Sequence, residues 1–479
     1  MVGIAGDRRQ PTVFDGDDEA AARRAIVRTN RQHRMRPKVS WPKMRALLAR
    51  LNPFKTREAK RLAFLFGVVY FAQGMWYLPE QTITIVLKDR GLSASQVADF
   101  ALIAWLPWFV KPIYGLLSDF VPLFGRRRQS YFLLTSAAAG LTGLLLAWGN
   151  WIATGQVWTF NLFGLTTFTV VEGFALFFLM ALGLAFTDVL TDAMMVESGR
   201  PLRLTGAFQS AQWACITLAS VLVGELGGQL AETRSLRTAF LLAACFPLMS
   251  LSMGLTFVRE TPARASRAAF LETWKAIRAT LGGREIWLVA GFIFFFWFSP
   301  SLGPAFLYYQ TDTLGFSQQF IGRLAALGSV AGVVGAVLYA PLSRRVSLKS
   351  LMHISIALGT LSTLSYLFYR GAASAVIITV VFGAIGMIFN LGFLDLAARS
   401  CPPHVEATFF AALMSVLNAG TKLSENVGAR LYETVGYERL VWISAVMTAL
   451  TWLLMPLVKF DQIDARAREA AGAEAAPAS

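Results

Sequence analysis

Charge is scarce in this 479-residue sequence: 15% of its residues are Asp, Glu, Lys or Arg, where soluble domains carry about 25%. Cysteine is rarer still. The three present, Cys215, Cys245 and Cys401, lie in or beside apolar stretches and offer neither a disulfide framework nor metal-ligand spacing. The histidines, His33, His353 and His404, are too scattered to suggest a metal or catalytic cluster. No Gly-x-x-x-x-Gly-Lys-Ser/Thr phosphate loop occurs, so ATP hydrolysis by this chain is not expected. A nucleophile–base pair is equally lacking. The expectation is a protein that is not an enzyme and uses neither cofactor nor metal. The first 60 residues are polar and arginine-rich, without the apolar core of a signal peptide.

What is abundant is apolar sequence, and it comes in blocks. Hydrophobic residues make up 55% of the chain, with a mean hydropathy of +0.52. A bilayer core about 30 Å thick needs about 20 mostly apolar residues per crossing helix. Blocks of that length recur near 62–87, 97–118, 130–150, 163–194, 204–229, 238–258, 286–310, 318–341, 349–369, 374–398, 405–431 and 440–458. The stretch from Ser130 to Trp151 has no charged residue, which a lipid-facing helix tolerates and a soluble core helix rarely shows. The expected fold class is all-α, a polytopic membrane protein with twelve transmembrane helices. The fourth block is longer than one crossing needs.

The net charge of +15 does not point to nucleic acid, because its distribution tells another story. Residues 1–60 hold 15 Lys and Arg against 6 Asp and Glu, so +9 lies in the tail. Assigning alternate loops to two sides places the tail, Arg126, Arg127, Arg128, Arg200, Arg203, the basic 259–285 segment, Arg344, Arg345, Lys349, Arg399 and the C-terminus together. The other side receives Lys88, Arg90, Arg234, Arg237, Arg370 and Arg439. Lys and Arg accumulate on the cytoplasmic side, so both termini are expected in the cytoplasm of a cell inner or plasma membrane. Within the tail, Trp41, Met44, Leu48 and Leu51 share one helical face. A short helix lying on an anionic leaflet and a plain disordered tail both fit this pattern. Residues 460–479 read as a disordered cytoplasmic tail.

The 259–285 segment is the longest charged interruption between blocks and divides the chain six plus six. This gives a tail over 1–60, one half over 61–258, a linker over 259–285 and a second half over 286–459. An internal echo supports the division. Asp192 and Asp395 sit near the ends of the fourth block of each half, and thirteen residues later Thr205 and Thr408 open the next. Parallel six-helix repeats are a known transporter plan.

The string Trp105-Leu-Pro-Trp-Phe-Val-Lys-Pro-Ile-Tyr-Gly-Leu-Leu-Ser-Asp119, followed by Val121-Pro-Leu-Phe-Gly-Arg-Arg-Arg128, resembles the folate–biopterin transporter family, a branch of the major facilitator superfamily. The similarity continues through Thr187-Asp-Val-Leu-Thr-Asp-Ala-Met-Met-Val-Glu197, Ser299-Pro-Ser-Leu-Gly-Pro, Leu314-Gly-Phe-Ser, Ile321-Gly-Arg and Cys401-Pro-Pro-His-Val-Glu-Ala-Thr408. It covers roughly residues 62–459. The superfamily's general loop has Gly-x-x-x-Asp-x-x-Gly-Arg/Lys. Here three extra residues separate Asp119 from Gly125, as in the folate–biopterin branch. The second-half copy, Leu338-Tyr-Ala-Pro-Leu-Ser-Arg-Arg-Val, lacks the Asp and Gly.

An ionisable side chain near the membrane midplane costs at least about 2.5–3.5 kcal/mol, so each needs a reason. One set, Asp119, Asp188, Asp192, Glu197 and Asp395, is expected near Arg126, Arg127, Arg128, Arg200 and Arg203. The resemblance implies a cytoplasmic gate of breakable ion pairs; a static lock between helix ends is the alternative. Asp188, one turn deeper than Asp192, is the candidate proton carrier. A deeper set comprises Glu80, Lys111, Arg323, Lys422 and Glu425. For the flat heterocycles the resemblance implies, Trp76, Tyr77, Trp297 and Tyr308 would supply walls, Glu80 an acceptor, and Lys111 or Lys422 a cation. Lys422 and Glu425, three apart, equally suit a simple pair. Glu225 and Arg323 lie near outer ends of helices that face each other in the superfamily fold and are expected as an outer gate.

The reading is therefore a secondary transporter working by alternating access, driven by protons and acting as a monomer in the lipid bilayer, without nucleic acid. Its cargo is a small molecule, folate or biopterin by resemblance, with a muropeptide or other nutrient as alternatives. The rivals of another class are a non-transporting assembly or receptor protein and, behind it, a membrane-embedded enzyme.

Overall fold

A computed structural model of the chain describes residues 53–475 apart from 163–165, 203, 261–265 and 403–404. The face of Trp41, Met44, Leu48 and Leu51, and Arg203, lie outside the described residues. So do 476–479.

The apolar blocks form helical rods. α1 (Arg57–Gly74) and α2 (Glu80–Asp89) make the first, joined through a tight turn at Met75–Tyr77. α3 (Ala94–Phe109) and α4 (Lys111–Phe120) make the second, and α5 (Gln129–Gly149) the third. After a hairpin of β1 (Val157–Leu162) and β2 (Thr166–Val171) come α6 (Phe174–Leu202), α7 (Thr205–Glu232) and α8 (Leu236–Phe257). α9 (Arg267–Leu281) occupies the linker. The second half holds α10 (Arg284–Trp297), α11 (Pro304–Tyr308), α12 (Gln318–Arg345), α13 (Leu348–Ser365), α14 (Ala372–Ser400), α15 (Glu406–Val435) and α16 (Tyr437–Leu450). Side-chain caps mark several starts: the hydroxyls of Thr56, Ser93, Ser317 and Ser347 accept from backbone N–H groups of the first turn.

Among the described residues, ten rods are long and apolar enough to cross a membrane, and α9 with α10, meeting at 71°, would make an eleventh. The expected crossing at 405–431 exists as α15, 30 residues long. Asn418, Lys422, Glu425 and Asn426 in its middle make it less apolar than the rest. The fold is that of a multi-pass helical membrane protein.

Three expectations change. The chain is not wholly helical, because Val157–Leu162 pairs antiparallel with Thr166–Val171. These residues are β-branched and aromatic in alternation with polar ones, a pattern that averaged hydropathy cannot distinguish from a helical block. The fourth crossing consequently starts at Phe174 rather than 163, and it runs to Leu202 rather than 194. Asp192 thus lies ten residues, about 15 Å, from the helix end. Finally, 460–475 is no disordered tail but α17 (Phe460–Ala475). Phe460 and Ile463 are fully buried in the second-half core with Phe292, Phe393 and Leu396, and Asp464 pairs with Arg399 at 2.5 Å.

Helices in each half pack closely through small residues, as membrane interfaces require. A Cβ on Gly143 would stand 2.9 Å from Ala244 Cβ, and one on Gly183 2.6 Å from the Thr135 carbonyl oxygen. The halves meet most intimately where α7 crosses α12. There Gly224 and Gly228 face Gly322, and a Cβ on Gly322 would lie 2.6 Å from Gly228 Cα. The end bearing Arg126, Arg127 and Arg128 is called the basic end below, and the end bearing the hairpin the far end.

Candidate functional site

Among the described residues, three rods break part-way along beside a charged residue of the interior. The first breaks over Met75–Tyr77 and Pro79, leaving Glu80 as the first residue of α2. The second breaks at Val110, with Pro112 behind it, leaving Lys111 as the first residue of α4. The third breaks over residues 298–303, between α10 and α11, where Gly303 has φ +44°. A Cβ there would meet Glu425 Cβ at 2.6 Å. Ser301 lies against Gly428, and its N–H donates to the Ser424 carbonyl at 3.2 Å. Irregular backbone at membrane depth survives only where it is buried in protein or lines a cavity.

One cluster surrounds Lys111. Its Nζ donates to Asp188 Oδ2 at 2.6 Å. With its nitrogen turned to the carboxylate, the Gln73 amide donates to Asp188 Oδ1 at 2.7 Å. One turn on, Asp192 accepts from the Tyr70 hydroxyl and, at 3.4 Å, from Gln212. Asp188 and Asp192 share a face of α6, as their spacing predicts. Among the described residues, however, Asp192 pairs with none of the arginines at the basic end, because α6 continues past it and carries it into the interior. It stands with Asp188, one turn away, rather than beside Arg126, Arg127 and Arg128.

A second cluster joins the halves. Lys422 Nζ donates to both oxygens of Glu425, at 3.0 and 2.8 Å, and sits 4.5 Å from the Trp105 ring centroid, a cation–π contact. Glu80, from the other half, lies within electrostatic reach of both Lys422 and Glu425. Tyr77 bridges the clusters, close enough to feel Glu80, Asp188 and Glu425, with its ring 5.9 Å from Trp105. Glu80 and Tyr77 keep substantial exposed surface although they sit mid-rod; they line an interior space.

Of the four expected aromatic walls, Tyr77 alone borders this space openly. Trp76 is buried behind it, stacked on Phe177. Trp297 packs among Phe296, Phe389 and Phe393. Tyr308 sits at the far end, its hydroxyl donating to the Leu92 carbonyl at 2.6 Å.

The remaining expected residues fall at the two ends. Arg128, almost fully buried, donates through Nη2 to Asp119 (2.9 Å) and Glu197 (2.6 Å). Its backbone N–H donates to Glu260 at 2.9 Å. The turn before it is possible because Gly125 takes φ +74°. Arg127 reaches Glu260 at 4.0 Å, and Arg126 donates to Gln129. This network ties helices of one half. Asp395 repeats the arrangement in the other, bonded by Arg399 and Tyr339. Across the halves at this end stands Arg200–Glu406, at 3.6 Å and exposed.

The far end is zipped more fully. Glu225 and Arg323 pair across the halves at 3.4 Å, each about half exposed. Arg430 and Asn426 both donate to the buried Asp99, at 2.6 and 2.7 Å. Lys88 pairs with Asp312 at 2.6 Å, and Gln81 donates to the Gln318 carbonyl at 2.8 Å.

Sequence reasoning missed Tyr70, Gln73, Trp105 and Gln212 at the interior, and the Asp99–Asn426–Arg430 contact. One signal was available. Tyr70, Gln73, Tyr77 and Glu80, spaced three, four and three, form a polar stripe on an otherwise apolar rod.

A sequence profile of the BT1 family matches residues 73–470. The folate-biopterin transporter of Synechocystis sp. is 31% identical over 417 residues, covering 81% of this chain and 79% of that protein. Folate transporter 2 of Plasmodium falciparum is 24% identical over 382 residues, covering 76% and 80%. Among solved structures, a D-xylose-proton symporter matches with a TM-score of 0.60 at 16% identity, covering 83% of this chain and 96% of that one. The nucleoside transporter NupG matches at 0.56 with 13% identity, covering 85% and 99%. These last two carry the fold alone, that of major-facilitator transporters. By profile, by relatives and by fold, the chain is a multi-pass membrane transporter and belongs to the BT1 family.

Proposed function

We propose that this protein is a secondary transporter that works by alternating access, moves a pteridine such as folate or biopterin, and couples it to protons. The observation that carries this reading is the interior itself: two lysine–carboxylate clusters, set at three helix breaks, on an aromatic floor. Buried carboxylates at membrane depth are the usual sites of proton relays, and broken rods at the repeat interface are where transporter substrates bind. Asp188 carries the proton, exchanging it against the Lys111 partnership, with Asp192 held ready by Tyr70 and Gln212. Names borne by the relatives supply the pteridine.

The basic end faces the cytoplasm by the distribution of Lys and Arg, and both termini lie there. The far-end contacts, Glu225–Arg323 among them, act as the outer gate and are closed here. At the cytoplasmic end, the Asp119–Arg128–Glu197 and Asp395–Arg399 networks stiffen each half, and Arg200–Glu406 is the contact that makes and breaks. The carrier acts as a monomer.

The deciding experiment is uptake of radiolabelled folate and biopterin into proteoliposomes, with and without an imposed proton gradient. Gradient-stimulated, saturable uptake is expected. Uptake of neither compound would remove the pteridine; uptake indifferent to the gradient would remove the proton.

A further inference from the structure

The interior charges do not balance. Among the described residues, those along the rods between the two end networks are Glu80, Asp188, Asp192 and Glu425, against Lys111 and Lys422. With all six ionised the space carries two negative charges in excess. Both cations are also occupied. Lys111 is bound by Asp188 at 2.6 Å, and Lys422 is gripped by both oxygens of Glu425 while lying on the Trp105 ring. Asp192 is satisfied by Tyr70 and Gln212. Glu80 differs from these. Its carboxylate makes no hydrogen bond or ion pair among the described residues, yet it is open to the interior space and next to Tyr77.

An open carboxylate beside aromatic faces is a receptor of definite kind. It accepts two parallel N–H bonds from one edge of a flat ring, the charge-assisted bidentate geometry that fixes orientation as well as energy, while the ring lies on Tyr77 and Trp105. The amino-oxo pyrimidine edge of a pterin carries adjacent N–H donors of this kind. Among the described residues, the space has no unengaged cation to receive an anionic appendage. The glutamate of a folate brings two carboxylates into a space already negative by two, where the low effective dielectric makes each like-charge contact costly.

We propose that the interior selects unconjugated pterins, held edge-on by Glu80 over Tyr77 and Trp105, and rejects folates that carry a glutamate tail. This inference rests on the pteridine reading above and narrows it.

The test uses the full-length protein, purified and reconstituted, with tritiated biopterin and tritiated folic acid in parallel binding and uptake assays. Pteroate, which has the folate ring system without the glutamate, serves as competitor. Expected are saturable biopterin binding, folate at least about tenfold weaker, and pteroate in between. Glu80→Gln should weaken biopterin by about tenfold or more, because the bidentate acceptor becomes half donor. Glu425→Gln releases Lys422 and removes one negative charge, so it should raise folate relative to biopterin. If Glu80→Gln does not fold, judged by its melting curve, the folate-to-biopterin ratio in Glu425→Gln decides alone, and an unchanged ratio overturns the proposal. Folate bound as tightly as biopterin by the unaltered protein would overturn the charge selection and leave the pteridine reading standing. Binding of neither would remove that reading and this inference with it.

Discussion

The hydroxyl of Tyr70 donates to Asp192 across 122 residues of sequence, one helical turn from the point where Lys111 grips Asp188. The two bonds tie the first, second and fourth rods around a pair of carboxylates. Tyr70→Phe removes one donor and leaves Asp192 with Gln212 at 3.4 Å. A hydrogen bond to a charged group contributes about 1.5–3 kcal/mol, so a lower melting temperature in detergent is expected together with slower uptake. An unchanged melting curve would show that the bond carries no weight.

Lys111 and Asp188 should behave as a unit. Removing one partner of a buried pair costs about 3–5 kcal/mol, because the other charge is left uncompensated. Lys111→Met and Asp188→Asn are each expected to destabilise the protein strongly. The double variant should recover much of the stability but none of the proton-driven uptake. A double variant no more stable than the singles would mean that the two residues act independently.

Arg128 is the better target at the basic end, since it serves Asp119 and Glu197 together. Arg128→Ala is expected to lower the melting temperature more than Asp119→Asn does, because it strands two carboxylates and not one donor. Asp119→Asn should insert into the membrane normally and still transport poorly. Normal uptake by Asp119→Asn in vesicles would reduce the network to a static lock.

At the far end, Glu225 and Arg323 are half exposed, and such pairs contribute roughly 0–1 kcal/mol. Single charge removals should therefore leave stability almost untouched and alter transport rate, and the swap Glu225→Arg with Arg323→Glu should restore it. Gly322→Leu is expected to be severe, since the α7–α12 contact has no room for a side chain. Equal transport by Gly322→Leu would show that the far end need not close.

Phe460→Ala tests the C-terminal helix. The ring is buried against Phe292, and Phe-to-Ala changes in a core cost about 3–5 kcal/mol. A melting temperature equal to that of the unaltered chain would return 460–475 to the status of a dispensable tail.

Much of this was legible in the sequence. Block lengths gave the rods, a spacing of three paired Lys422 with Glu425, and the family resemblance set Glu225 opposite Arg323. What stayed hidden depends on tertiary partners or on period. Asp192 sat with the wrong neighbours because nothing local marks that α6 continues through Gly199 and Pro201 to Leu202. The hairpin was hidden inside an apolar average. Phe460 and Ile463 looked too few to order a tail, but they are spaced to enter a core already built by α10 and α14.

The Gly224–Gly228–Gly322 contact has one more implication. Where backbone rests directly on backbone, no side chains interlock, and no rotamers must change for one helix to roll over the other. In the alternating-access reading proposed above, such a joint would act as a bearing rather than a latch. Resistance to motion there comes from the polar contacts around it, so the far end can be loosened or tightened by altering Asp99, Arg430 or Lys88 while the joint itself stays intact.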